Sequence, residues 1–402
     1  MFTLRDTAWQ LLRNKGRTVI LLLASAMLAG CMAFYLGNIR ANEEAIDRLT
    51  QVTTVRVDVT NSTGEMSAGL NIATIQFDNF VASEYLEHFL YGARAAGAYS
   101  GKARREEPFT GGDADIAAIN SRDAIFSDDY VFTFMEGYDE GIFTGDQPVC
   151  LVDELFAEEN GIAVGDQLTF PIYLHIYEQG GAVRYDPLGD MTLTVVGTNH
   201  STAYPKTFLV PVDWLRKEAD ARGVKFYYNT LSGDLKDPRR LNHFKAGIYD
   251  MAFLEPNPEA QDQFGGATIV VDDEPYITAT EPLGQNILLF RQFLVPFFVL
   301  VIGLVVLAIF LIMRGARRDM AIACSLGRPR LLSALANFLA AFAAQLAGCL
   351  LVLPAMVLGA GLSLGGGLLI CGAFLLCACL GNCLALALVL RFDPLALLTA
   401  SE

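Results

Sequence analysis

Two short patterns in this chain have the spacing of covalent chemistry, and each lacks what that chemistry requires. Gly361-Leu362-Ser363-Leu364-Gly365 has the G-x-S-x-G form that presents a serine as a nucleophile on a tight turn. Such a serine needs a base to take its proton. The four histidines, His88, His175, His200 and His243, all fall between Arg40 and Arg291, and no long apolar segment holds a His, Lys, Asp or Glu. A Gly-rich turn is the expectation for this stretch. Leu28-Ala29-Gly30-Cys31 has the form of a lipobox, but Met32, Ala33, Phe34, Tyr35 and Leu36 stay apolar where a lipidated chain normally turns polar. The pattern is expected to belong to a membrane span.

Metal and nucleotide chemistry are no better supplied. The histidines show no H-x-x-x-H spacing, and Asp128-Asp129 and Asp272-Asp273 lack the remainder of an EF-hand loop. Gly97 to Lys102 is not a G-x-x-x-x-G-K-[ST] loop, and no other segment is. The chain is therefore expected to have no catalytic, metal-binding or cofactor-binding residues and not to be an enzyme. At a formal net charge of −15 no nucleic-acid partner is expected.

The elements that would carry a non-catalytic function are dictated by where charge is missing. No charged residue lies between Arg330 and Arg391, nor in the 22 residues Thr18 to Ile39, nor in the 22 from Gln292 to Met313. At about 1.5 Å per residue, such a helix spans roughly 33 Å, enough for a hydrocarbon core of about 30 Å. The longest void can cross twice. Four transmembrane helices follow, at 18–39, 291–313, 332–358 and 368–390, with Gly359, Gly361, Gly365, Gly366 and Gly367 as an outer turn over 359–367.

Charge also sets the orientation, because Lys and Arg beside short loops stay on the cytoplasmic side. The arm 1–17, the loop 314–331 and the tail 391–402 carry ten basic against four acidic residues, which leaves −21 for the remainder. Both termini and the loop are expected in the cytoplasm, and residues 40–290 outside it. Eleven of the fifteen prolines lie in that outer segment. Of eight cysteines only Cys150 lies there, so no disulfide within it is expected and an ordinary core must hold it.

Within the outer segment the patterns predict an α+β domain with stalk ends. A helical stalk covers Asn42 to Leu49, and Thr54 to Val59 alternates as a strand. Helices are expected near 82–93, 153–160, 238–250 and 282–290, the last leading into the second span. Strands are expected near 149–152, 167–173, 191–197 and 267–271, with loops at 110–130 and 178–190. No internal repeat is visible, so two subdomains, one inserted in the other, are expected. Residues 2–17, anchored by Trp9, read as a helix in the cytoplasmic interface with membrane lipids.

The loop between the second and third spans is the informative segment: Arg317-Arg318-Asp319-Met320-Ala321-Ile322-Ala323-Cys324-Ser325-Leu326-Gly327-Arg328-Pro329-Arg330. A short helix from Asp319 to Leu326 is predicted, stopped by Gly327 and Pro329, with basic ends and with Met320, Ile322 and Leu326 as apolar contacts. Here the chain resembles the FtsX-like, MacB-type permease family of ABC transporters, which carries R-E-x-A-I-L-R-A-L-G-A at this place. Asp319 stands for the usual Glu, Cys324 for Arg and Ser325 for Ala. Val149 to Glu158 followed by Gly161 to Leu168, Met191 to Gly197 followed by Phe208 to Pro211, and Arg391 to Leu398 resemble further segments of that family.

The resemblance implies an α-helical membrane protein with four spans arranged one plus three, and a MacB-type periplasmic core domain inserted between the first two. It implies a homodimer, or a heterodimer with a second FtsX-like permease, in a bacterial plasma membrane, and two copies of a separate ABC ATPase that would hold the ATP and magnesium. Arg317, Arg318, Asp319, Met320, Ile322, Leu326 and Gly327 would form the helix that couples to that ATPase. Two functions share this architecture: export or extraction of a peptide, antibiotic or lipoprotein by mechanotransmission, and a non-transporting signal that activates a cell-wall hydrolase or senses an antibiotic.

Overall fold

The computed structural model describes residues 7, 13, 15–105, 108–125, 129–178, 181–203, 205–260, 266–325, 327, 329–358 and 363–390. The chain divides into a helical unit, Met1–Leu49 with Ala279–Glu402, and a second unit, Thr50–Thr278. In chain order the elements begin with α1 (Lys15–Val52), β1 (Arg56–Thr60), β2 (Ile72–Ala73), α2 (Thr74–Val81), β3 (Leu86–Gly97), β4 (Ala114–Ile119), β5 (Val131–Phe134) and β6 (Val149–Asp153). Next come α3 (Glu154–Asn160), β7 (Gln167–Tyr177), β8 (Val183–His200), β9 (Phe208–Pro211), α4 (Val212–Ala221), β10 (Tyr227–Tyr228), β11 (Thr230–Leu235) and α5 (Leu241–Ala246). The last are β12 (Thr268–Asp272), α6 (Glu274–Gln292), α7 (Leu294–Ser325), α8 (Arg330–Leu358) and α9 (Leu364–Leu390).

In the helical unit, α1 and apolar segments of α7, α8 and α9 are long enough and apolar enough to cross a membrane. Their outward faces remain apolar: Leu376, Leu380 and Leu384 of α9 are exposed, while Phe374, Ala378 and Ala385 face inward. A helix that is apolar all round is what lipid contact requires. Small residues let the inner faces approach. A Cβ on Gly348 of α8 would lie 2.7 Å from the Leu22 carbonyl of α1 and 3.0 Å from Ser25 Cβ. Ala344, one turn before, is buried in the same bundle core. At least part of this small-residue face is thus used within one chain. Gln345 of α8 and Asn382 of α9 exchange hydrogen bonds, Nε2 to Oδ1 at 3.1 Å and Nδ2 to Oε1 at 2.7 Å, with both side chains buried. Asn337 instead donates to Ser333 O of its own helix at 2.9 Å.

The second unit is built on one mixed sheet of ten strands, ordered β12-β1-β11-β3-β4-β9-β6-β8-β5, with β7 pairing β3 and β8. The pairs β4·β9 and β6·β8 are parallel, whereas the other pairs are antiparallel. Because side chains alternate across a strand, one sheet feeds two cores. Ile116, Ala118, Cys150, Val152, Phe208 and Val210 enter the larger core, while Ala117, Ile119, Val149, Leu151 and Leu209 enter a smaller one. Phe170 and Phe208 stack at 5.2 Å in the larger core. Burying rings of this size contributes about 1.5–3 kcal/mol each.

Several sequence-based expectations change here. The stretch 82–93 is not a helix: α2 ends at Val81, and Leu86–Gly97 forms the strand β3. Leu86, Phe89 and Leu90 mimic helical spacing, but β3 lies between β11 and β4 and also pairs β7, so ladder hydrogen bonds outweigh the local pattern. Residues 110–130, expected as a loop, contain β4, and residues 178–190 contain the start of β8. In place of two inserted subdomains, one sheet runs through the unit. Gly365, Gly366 and Gly367, expected in the outer turn, belong to α9. In hydrocarbon a helical backbone satisfies groups that a glycine turn would leave bare, which offsets the poor helix propensity of glycine. Residues 359–362 of that turn, the tail 391–402 and most of the predicted interfacial helix 1–17 lie outside the described residues.

Asn382→Leu leaves the Gln345 amide buried without its partner, so graded SDS unfolding of the micellar protein should show a loss of about 1–2 kcal/mol. The double change Gln345→Leu/Asn382→Leu should recover most of it. In the sheet unit, burial lowers the His175 pKa from its ordinary 6.5 to about 4. Its neutral form therefore favours the fold above the unfolded value, and the unfolded state binds the extra proton as pH falls. Melting temperature should drop between pH 6.5 and 4, and less so in His175→Phe.

Candidate functional site

Helix α7 continues without interruption from its apolar part through Ser325. Arg317, Arg318, Asp319, Met320 and Ile322 therefore stand on helical backbone, while the side chains of 315–325, and Leu326 itself, lie outside the described residues. The sequence predicts a separate helix beginning at Asp319. The structure instead prolongs the span, because Gly315 alone is too weak a breaker to stop a helix already propagating. Gly327 adopts a φ of +90°, a left-handed conformation favourable to glycine just past a helix end. Pro329 follows, and its carbonyl accepts from Leu332 N at 3.1 Å and Ser333 N at 3.2 Å in the first turn of α8.

A second constellation in the helical unit joins α1 to α6 and α7. Tyr35 of α1 donates its hydroxyl to Phe290 O at 2.5 Å, stacks on Phe297 at 4.1 Å, and meets the Phe290 ring edge-on at 5.0 Å. Two turns further along α1, Glu43 accepts from Arg291 Nη2 at 2.6 Å. Asn42 meanwhile donates to Asn38 O at 2.7 Å along α1. Neighbouring α6 and α7 are separated only at Phe293, whose N–H still reaches Leu289 O at 3.1 Å. Pro296 explains the break, since it has no N–H to offer the Gln292 carbonyl. No motif singles out Tyr35, Glu43 or Arg291. Their signal is positional, an aromatic near the end of one charge-free run and opposite charges just beyond two of them.

Ser363 Oγ accepts from Gly366 N at 3.1 Å and so caps α9, while every histidine belongs to the other unit. Cys31 lies in the middle of α1. Cys150 is buried, and desolvation pushes its thiol up to about 12, which makes it unreactive. Asp129 accepts from Ser201 Oγ, Thr202 N and Ala203 N, pinning a loop, and Asp273 accepts from Lys245 at 2.6 Å. Among the described residues, no three His, Cys, Asp or Glu side chains gather as a metal site.

Long apolar helices together with a large mixed α/β sheet unit define a membrane protein with a folded sheet domain. No family model matches the chain, and no curated protein matches it. Among solved structures, it is similar to the periplasmic region of MacB from Actinobacillus actinomycetemcomitans, at 11% identity and a TM-score of 0.30, over 57% of this chain and 94% of that one.

The contacts around Tyr35 generate a ranking. Tyr35→Ala removes the ring stack and the hydroxyl bond and should lower stability in SDS titration by about 2–4 kcal/mol. Tyr35→Phe should cost about 0.5–1.5 kcal/mol. Arg291→Gln, at an exposed pair, should cost under about 1 kcal/mol.

Proposed function

We propose that this chain is the permease subunit of an FtsX-like, MacB-type ABC transporter in a bacterial plasma membrane. The observation that carries the reading is the prolongation of an apolar helix into a basic one, Arg314 to Ser325, closed at Gly327, in a sequence with no phosphate-binding loop. A helix rooted in the membrane can receive force from a soluble partner at its free end. In this reading two ABC ATPase subunits bind ATP and magnesium and dock on Arg317, Arg318, Asp319, Met320, Ile322, Leu326 and Gly327. The chain is itself no enzyme and dimerises with a second copy or a second permease of the same kind.

In the same reading, four spans place both termini in the cytoplasm and the sheet unit outside it. The charge partition supports this, because the basic segments flank the apolar runs and the sheet unit carries the acidic excess. Helices α1 and α6, held together through Tyr35 and Arg291, transmit the displacement outward. The output is export or extraction of a peptide, antibiotic or lipoprotein.

The test is co-reconstitution with the partner ATPase. Arg317→Glu/Arg318→Glu should cut stimulation of ATP hydrolysis by about tenfold or more, since reversed charge at a docking surface costs several kcal/mol. Unchanged stimulation would refute coupling through this helix. Coupled hydrolysis without substrate movement would replace export with signalling. Protease added to sealed right-side-out vesicles should cut the sheet unit and leave 314–331 intact.

A further inference from the structure

The sheet face that carries the smaller core also holds a cleft of about 450 Å³, lined in part by β3, β4, Lys206 and Tyr177. Small residues create the space. A Cβ on Gly92 would lie 2.8 Å from the Ala118 carbonyl, and Gly69, at a φ of +73°, leaves room for the Tyr177 ring. Arg94 of β3 lies beside this floor and pairs with Asp115 of β4 at 3.6 Å, a loose ion pair. Lys206 reaches the same Asp115 carboxylate. Two cations thus share one anion, and the cluster keeps a net charge of about +1 within a strongly acidic unit.

The surrounding groups suit an acceptor-rich ligand. Desolvation raises the pKa of Tyr177, whose phenol is a protonated donor at neutral pH. His175 lies one cross-strand step beyond the Ala95–Leu174 pair, on the same face as Arg94. Its Nε2 is buried with no partner among the described residues. Apart from Asp115, the Arg94 guanidinium has no hydrogen-bond or ion-pair partner among the described residues. A guanidinium fork beside a lysine matches the two oxygens of a carboxylate. The cleft volume falls within the range that encloses a small organic molecule.

We propose that this cleft binds a small organic carboxylate, its anionic end on Arg94 and Lys206 and its apolar body on the glycine- and alanine-lined floor. A free acid and a peptide C-terminus carry the same group. Binding here does not require the permease reading and can be measured without an ATPase, so the two stand or fall separately.

The experiment uses the full chain in lipid nanodiscs with ligand-observed NMR titration. The probes are N-acetylphenylalanine, Ala-Ala-Phe with a free C-terminus, and the amide of each. At least one acid should bind, with its amide at least tenfold weaker. Binding of the peptide acid alone would assign a chain terminus, and binding of the acetylated amino acid, with or without the peptide, would include free acids. Arg94→Gln should weaken the bound acid about ten- to a hundredfold while leaving the amide unchanged. If Arg94→Gln does not give a wild-type circular dichroism spectrum, Arg94→Lys serves, with several-fold weaker binding expected from loss of the fork. Equal binding of acid and amide, no binding of any probe up to about 10 mM, or wild-type affinity in the folded Arg94 variant would overturn the proposal.

Discussion

Hydrocarbon offers no hydrogen bonds, and that single constraint organises the helical unit. A backbone that enters it must bond to itself, which is why three glycines in sequence, Gly365, Gly366 and Gly367, are taken into α9 where in water they would favour a turn. It also explains why the polar side chains inside the bundle have local or reciprocal partners. Gln345 and Asn382 face each other, Asn337 turns back on Ser333, and Ser25 donates to Leu21 O at 2.6 Å. Hydrophobicity cannot drive helices together in such a solvent, so close approach does. The absent side chain of Gly348 lets α8 reach the backbone of α1, and that of Gly381 makes room for Val305.

Water imposes a different solution on the sheet unit. Ten strands in one sheet expose two faces, and both must be partly covered. The alternation of side chains supplies two cores from the same strands, so Cys150 and Leu151, adjacent in sequence, are buried on opposite sides. Where that covering stops, the face turns polar: Arg56 and Asp58 on β1 and Arg94 on β3 occupy the positions between buried valines and alanines. The cleft beside Arg94 is a product of that incomplete covering.

The two units also treat ionisable groups differently. In the sheet unit, charges meet in exposed pairs such as Arg184 with Asp186 at 2.8 Å and Arg216 with Asp78 at 3.0 Å, which contribute little individually. In the helical unit, charges are excluded from the apolar runs and collect at their ends, where Arg291 finds Glu43. The same separation carries the coupling proposal, because the basic residues after Met313 extend a helix that is otherwise inert.

Sequence alone determined the apolar helices, since missing charge over 22 or 60 residues has few other physical meanings. It also determined the glycine stop at 327 and the strands with clean alternation, such as Val55, Val57 and Val59 in and just before β1. Only the tertiary structure decided that Leu86–Gly97 is a strand, because two of its partners, β11 and β7, lie far away in sequence and no local pattern encodes them. For the same reason it alone brought Arg94, Asp115 and Lys206 together. Asp115 meets Arg94 because β4 pairs with β3, and Lys206 because β4 also pairs with β9, and pairing is settled by hydrogen bonds and burial that a one-dimensional reading does not contain.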